Sequence, residues 1–289
     1  MNWHSKVKII ANLCREREFV HTFTPPHYII DVSSFFDYYS IMAISDRKRR
    51  QIQERDQAIL DVSCKMLMSE GYLGLNMDKI AQAIEYSKGT VYQHYKSKEE
   101  VLAALAVKSL QKRLEFFERA RDFDGLPRER MTAVGVADGL MVLLYPHFFI
   151  VDQLVSDHSL WDKISSSIQN QLKDLEDSIF ACVGAVTQSG VESGDLDLGD
   201  RQPQELCIGL WAMSLGVNTI NLSPRKPFER IDISRPLEVL HRNQHCYLDG
   251  WHWKPLYKDH DYDHVRQRIL KSTFQNEYEQ LQANRPNRG

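Results

Sequence analysis

The sequence predicts an all-α protein, in which an N-terminal three-helix unit carrying a helix-turn-helix is followed by a bundle of six or more helices. From residue 52 onward, apolar residues recur every three or four positions, and no useful stretch alternates with the two-residue period of a half-buried strand. Residues suited to helix starts open successive segments: Asn76, Ser87, Ser97, Pro146, Pro203 and Pro236. Breaks rich in Gly, Asp or Pro separate them at 124–127, 191–200 and 224–227.

Residues 1–45 are set apart as an N-terminal extension. Lys6 to Val20 has weak helical character, Thr24-Pro25-Pro26-His27 interrupts it, and Tyr28 to Ile44 is aromatic and β-branched without a clear period. Two readings stand for this segment: an arm packing on the body, or a stretch preceding a true start at Met42. Arg47-Lys48-Arg49-Arg50 follows, four bases that can reach phosphates or a minor groove. A first helix is expected from about Ile52 to Glu70, with Ile59, Val62, Met66 and Leu67 inward and Gly71 ending it.

The stretch from Asn76 to Glu100 is the most informative. Asn76 caps a short helix whose apolar stripe is Ile80, Ala81 and Ile84. Ser87 caps a second helix to about Tyr95, with Val91 and Tyr95 inward and Lys88, Thr90, Gln93 and His94 outward. Ser97, with Glu100 three residues on, opens the next helix as a capping box. Two helices of about eight residues joined by a tight turn have the dimensions of a helix-turn-helix, whose second helix fits a DNA major groove.

The 289 residues carry a net charge of −3, which alone argues against nucleic acid. The distribution alters that: residues 46–98 hold ten Lys/Arg against seven Asp/Glu, residues 1–45 balance, and the remainder is acidic. A mildly basic module on an acidic body suits a DNA reader with a second function. No apolar run spans a membrane, and the N-terminus lacks a secretory pattern. Five scattered cysteines, Cys14, Cys64, Cys182, Cys207 and Cys246, fit buried free thiols in a reducing cytoplasm.

Residues 47–107 resemble the DNA-binding domain of TetR/AcrR transcriptional regulators. The resemblance rests on Gly71-Tyr72, Ile80-Ala81, Ser87-Lys88-Gly89-Thr90-Val91-Tyr92, His94-Tyr95 and Lys96-Ser97-Lys98-Glu99-Glu100. It departs at Asn76, where the family usually has Thr, and at Ile84-Glu85-Tyr86, where it has Ala-Gly-Val. The turn Gly relieves a left-handed backbone, and Glu there costs about 1 kcal/mol. The resemblance implies a sequence-specific regulator, a repressor, acting as a homodimer on a double-stranded DNA operator. The DNA-contacting set is then Arg47, Lys48, Arg49, Arg50, Asn76, Lys88, Gly89, Thr90, Tyr92, Gln93, His94 and Lys98. Lys88 and Thr90 stand early in the recognition helix, Gln93 can pair with an adenine edge, and Tyr92 and His94 are placed for phosphates. Gly89 lets the backbone come close, and Lys98 sits at a helix start that favours an anion.

The body, from residue 108, is expected to continue the capped helix to about Ala120 and to add helices over Arg128–Leu144 and from Pro146. A single long helix is expected from Ser159 to Gly190, then helices from Pro203 to about Ile220, from Pro236 to Leu248 and from Asp259 to Gln282. The Pro203 and Pro236 helices carry surplus apolar surface, which the resemblance assigns to the two-fold interface. It also implies a body that binds an unidentified small-molecule effector. Phe117, Tyr145, His147, Phe148, Trp161, Trp211 and Met213 are candidate lining residues, suited to an apolar or aromatic ligand.

Catalytic signatures are missing: there is no phosphate-cradling Gly-rich loop and no nucleophile elbow. His241 and His245, four apart on a helix, could chelate a metal, but no ligand spacing supports it, and a solvated polar face with local aromatic packing is expected. Neither metal nor cofactor is expected. The competing class is a helical enzyme or protein-interaction module that keeps the helix-turn-helix as scaffold.

Overall fold

The structure is a computed structural model that describes residues 32–284, with side chains from residue 46. The readings of residues 1–31 lie outside it. Two compact units meet between Gln53 and Glu54, and each is described by itself. Every regular element among the described residues is helical.

Helix α1 is assigned from Val32 to Gly74, so the aperiodic stretch before residue 45 is helical in part, and the expected start at Ile52 is corrected. In the first unit, Arg47, Lys48, Arg49 and Arg50 lie within this helix rather than before it. All four are exposed, and Arg49 pairs with Asp46 at 2.8 Å.

The second unit begins inside α1. Ile59, Leu60 and Leu67 are buried there, and Ser63 joins them because its hydroxyl donates to the Ile59 carbonyl at 2.7 Å. Gly71, at φ 68°, breaks the helix where an L side chain would be strained. Helices α2 (Met77–Ala83), α3 (Lys88–His94) and α4 (Lys98–Arg121) complete the head. Helix α4 runs straight through residue 107, the expected head–body division.

The body comprises α5 (Pro127–Leu144), α6 (Pro146–Val155), α7 (His158–Trp161), α8 (Ser166–Glu192), α9 (Pro203–Asn221), α10 (Pro227–Arg230), α11 (Pro236–Gly250), α12 (Tyr262–Ser272) and α13 (Gln275–Ala283). Two expected helices are each broken in two. The 159–190 segment splits after Trp161, whose carbonyl accepts from the Gln169 side-chain amide at 2.8 Å and from the Ile164 N–H at 3.1 Å, and Ile164 keeps the apolar phase through the break. The 259–282 segment splits at Thr273, whose carbonyl accepts from Arg119 at 2.5 Å while Glu277 holds the same guanidinium. Phe274, at the bend, is fully buried.

Two apolar cores are threaded on α4. Its first half places Val101, Leu102 and Leu105 with Ile59, Ile80 and Val91 of the head and with Val151 and Leu172 of the body. Its second half places Phe116, Phe117 and Ala120 with Met131, Leu140 and Trp253. Among the described residues no single helix is long and apolar enough to cross a membrane. The described cysteines are free; Cys182 and Cys207 are buried, but Cys246 is exposed, against the expectation of buried thiols.

Candidate DNA interface and effector cavity

The head is built by short-range caps. Asn76 Oδ1 accepts from the backbone N–H of Asp78 (2.8 Å) and Lys79 (3.3 Å), opening α2. The helix closes on Glu85, at φ 57°: the Glu85 N–H donates to Gln82 O and the Tyr86 N–H to Ala81 O. These are the two bonds of a Schellman motif. The tight turn is thus made in the left-handed region without glycine. Ser87 Oγ accepts from Thr90 N–H at 3.1 Å and starts α3. Ser97 Oγ accepts from Glu100 N–H at 3.2 Å, while Glu100 Oε2 takes the Lys96 N–H at 2.7 Å, one residue before the expected box partner.

Val91 is fully buried against α2, and Tyr95 donates to Asp56 Oδ1 at 2.5 Å, tying α3 to α1. Burial and that carboxylate push the Tyr95 phenol up, and burial with Glu99 takes Tyr72 up to about 12. Both therefore act as hydrogen-bond donors at neutral pH.

The outer surface of α3 presents Lys88, Gly89, Tyr92 and Gln93 exposed, with Thr90 half-buried. Lys88 Nζ bridges to Asp78 Oδ2 at 2.5 Å across the turn, and the Thr90 and Ser87 hydroxyls lie 2.9 Å apart. A Cβ added at Gly89 would meet only Ser87 Oγ at 3.7 Å, an ordinary contact. Nothing inside the fold requires glycine there. His94 departs from the expected outer placement: its side chain is 12% exposed and its Nδ1 stands 3.8 Å from Asp56. Lys98 folds back, its ammonium 4.1 Å from the Tyr72 ring centroid, and Glu99 and Glu100 occupy the first turn of α4. That start is less open to an anion than its sequence position suggests.

The body holds a cavity of about 970 Å³ that opens to the surface. Of the candidate lining residues, Phe117, Trp161 and Trp211 border it; Tyr145, His147, Phe148 and Met213 do not. Tyr145, His147 and Phe148 pack on one another instead, with centroids 4.4 to 6.2 Å apart, at the bend between α5 and α6. The wall also holds a charged cluster that no local spacing announces. Arg113 Nη1 donates to Asp138 Oδ1 at 2.9 Å and Nη2 to Asp152 Oδ2 at 3.2 Å. Ser109 donates to Asp152 at 2.9 Å, and the Asn218 amide to Asp138 Oδ2 at 3.3 Å. Burial lifts the Asp152 carboxyl to about 6.

His241 and His245 turn inward to this wall rather than forming a solvated face. His245 lies 4.8 Å from the Tyr257 ring and 4.3 Å from Tyr262, and burial with Arg128 lowers its pKa to about 4. Among the described residues no group of three metal-binding side chains forms.

Outside, α9 exposes Ile208, Trp211 and Ile220, and α8 adds Phe180, edge-on to Trp211 at 6.1 Å. Helix α11, expected to share this role, buries Leu240 and Leu248 in its own unit.

The family model described as "Bacterial regulatory proteins, tetR family" matches residues 59–105, the capped three-helix head. Over those residues the chain is similar to tetR-family regulatory proteins. The tetR-type fold extends beyond them. A tetR-family bacterial regulatory protein from Rhodococcus RHA1 is similar at a TM-score of 0.54 and 19% identity, covering 68% of this chain and 96% of its own. A putative regulator from Saccharomonospora viridis, in complex with choline, is similar at 0.54 and 16%, covering 68% and 96%. The regulator FadR from Bacillus subtilis, in complex with stearoyl-CoA, is similar at 0.51 and 15%, covering 65% and 94%. No curated protein matches. The head has the geometry of a helix-turn-helix, over residues similar to those of bacterial regulatory proteins of the tetR family.

Proposed function

We propose that this protein is a homodimeric repressor released from a palindromic operator when a small molecule enters the body cavity. The observation that carries the reading is helix α4: one rigid element starts in the head's core and ends at the cavity wall. The ligand complexes of the FadR and Saccharomonospora relatives support a body that accepts small molecules. A ligand that fits the cavity better in the DNA-incompetent arrangement weakens DNA binding by its differential affinity, about 1–3 kcal/mol. The exposed apolar face on α8 and α9 is the face we assign to the two-fold partner, replacing the pairing of α9 with α11. Two recognition helices about one DNA turn apart then read a palindrome.

Lys88, Gly89, Thr90, Tyr92 and Gln93 are assigned to DNA on exposure and position. Asn76 and the basic run from Arg47 to Arg50 are assigned to the DNA backbone, whereas His94 and Lys98, turned toward Asp56 and Tyr72, are left out of the contact set. The test is selection of bound sequences from random duplex DNA by the full chain at physiological salt. An enriched palindrome is expected, and a Thr90→Ala/Tyr92→Ala double variant should lose it while melting normally. A folded sample that enriches nothing, or a double variant that binds as before, rejects the assignment.

A further inference from the structure

The cavity wall has more acceptors than donors. Asp138 and Asp152 share one guanidinium, Arg113, so the cluster keeps one negative charge. Asp152 Oδ2 is occupied by Ser109 and Arg113, but its buried Oδ1 has no partner among the described residues. The Asn218 amide donates to Asp138, an acceptor-only group, which orients its carbonyl as the free end; that buried Oδ1 is also unpartnered. His241 is held neutral by burial, and its Nε2 faces the Gly135 carbonyl, so Nε2 carries the proton and the unpartnered Nδ1 is a third acceptor. Arg113 Nε and Arg266 Nε are unpartnered donors on the same wall, two against three acceptors, and the lining carboxylates outnumber its guanidiniums, Arg113, Arg242 and Arg266. Buried acceptors without donors are costly, and a desolvated carboxylate calls for a charged donor.

From this geometry we infer that the cavity binds a protonated amine bearing N–H groups on an apolar or aromatic body. The ammonium sits on Asp152 Oδ1 and Asn218 Oδ1, and the body lies against Phe117 and Trp161. A quaternary ammonium supplies the charge but no N–H. A carboxylate placed at the cluster meets the uncompensated acid and a guanidinium already committed to two acids, so Arg242 and Arg266, elsewhere in the lining, are its remaining partners. This assignment rests on the effector role proposed above and names its ligand class.

The test titrates the full chain, without DNA, with phenylbutylamine, phenylbutanol, phenylbutanoate and phenylbutyltrimethylammonium by calorimetry. The amine should bind about tenfold or more tighter than the alcohol, with the carboxylate weakest. Asp152→Asn should bring the amine down to the alcohol's affinity and leave the alcohol unchanged. The milder Asn218→Ala should lower amine affinity alone and serves if the first variant misfolds. Equal binding of amine and alcohol, tighter binding of the carboxylate, or no binding of any probe by folded protein overturns the inference. Equal binding of the quaternary analogue overturns the N–H assignment. The effector role is read separately, as loss of operator binding. An amine that binds with this preference yet leaves DNA affinity unmoved rejects the regulatory linkage and keeps the ligand class.

Discussion

The head and the cavity wall handle polar groups in opposite ways. In the head, Asn76, Ser87 and Ser97 each satisfy backbone donors two or three residues away, and Tyr95 and Tyr72 each have a carboxylate. Around the cavity, Asp152, Asn218, His241 and His245 each keep a buried polar atom without a partner among the described residues. Complete pairing makes a rigid reading surface. Incomplete pairing leaves bonds for something else to make, at a cost in stability until it does.

Four substitutions or conditions probe that contrast. The largest effect is expected from Arg113→Leu, which strands two buried carboxylates; denaturant unfolding should show a loss of about 3–5 kcal/mol. A result under about 1 kcal/mol would mean that the cluster is wet and screened. Next is acid sensitivity at His245. Its folded pKa, near 4, lies below the ordinary 6.5, so the unfolded chain binds the proton first. Stability is full above about 6.5 and falls as pH drops toward 4, by about 3 kcal/mol. His245→Phe should flatten that part of the pH–stability curve, and an unchanged slope would assign it to other groups.

Within the head, Glu85→Gly should stabilise by about 1 kcal/mol, since only the left-handed turn is relieved. A thermal melt that falls instead would mean that the Glu side chain does more than occupy the turn. The smallest stability change carries the sharpest sign test. Gly89→Ala should raise head stability by about 0.5–1 kcal/mol, because Gly is a poor helix residue and the site has room. It should at the same time weaken DNA binding in a shift assay, because the added methyl stands where the duplex backbone would approach. Unchanged DNA affinity would remove Gly89 from the interface.

The same contrast explains what could be read from the chain alone. Caps and turns act over two to four residues, so α2, α3 and the start of α4 were legible in Asn76, Ser87 and Ser97. The left-handed turn was legible even through the unfavourable Glu85. The cavity cluster was not, because Arg113 meets Asp138 25 residues on, and Asp138 meets Asn218 80 residues on. One local signal pointed to it: Asp138 is the only charged residue between Ala133 and Leu144, an otherwise apolar helix. Such an acid must find a partner indoors. The two broken helices escaped notice because apolar phase is kept across each break, by Ile164 and by Phe274, and periodicity alone cannot see a carbonyl captured by Gln169 or Arg119.

Helix α4 is also a lever with unequal duties at its ends. Arg113, gripping both acids, lies fifteen residues from Lys98, about 22 Å along the axis. A tilt of about five degrees pivoting near the cavity would carry the Lys98 end by about 2 Å, which is comparable to the tolerance of a hydrogen bond at a base edge. Under the proposed role, a ligand no larger than a few ring systems would need to shift only one guanidinium to change what the distant surface reads.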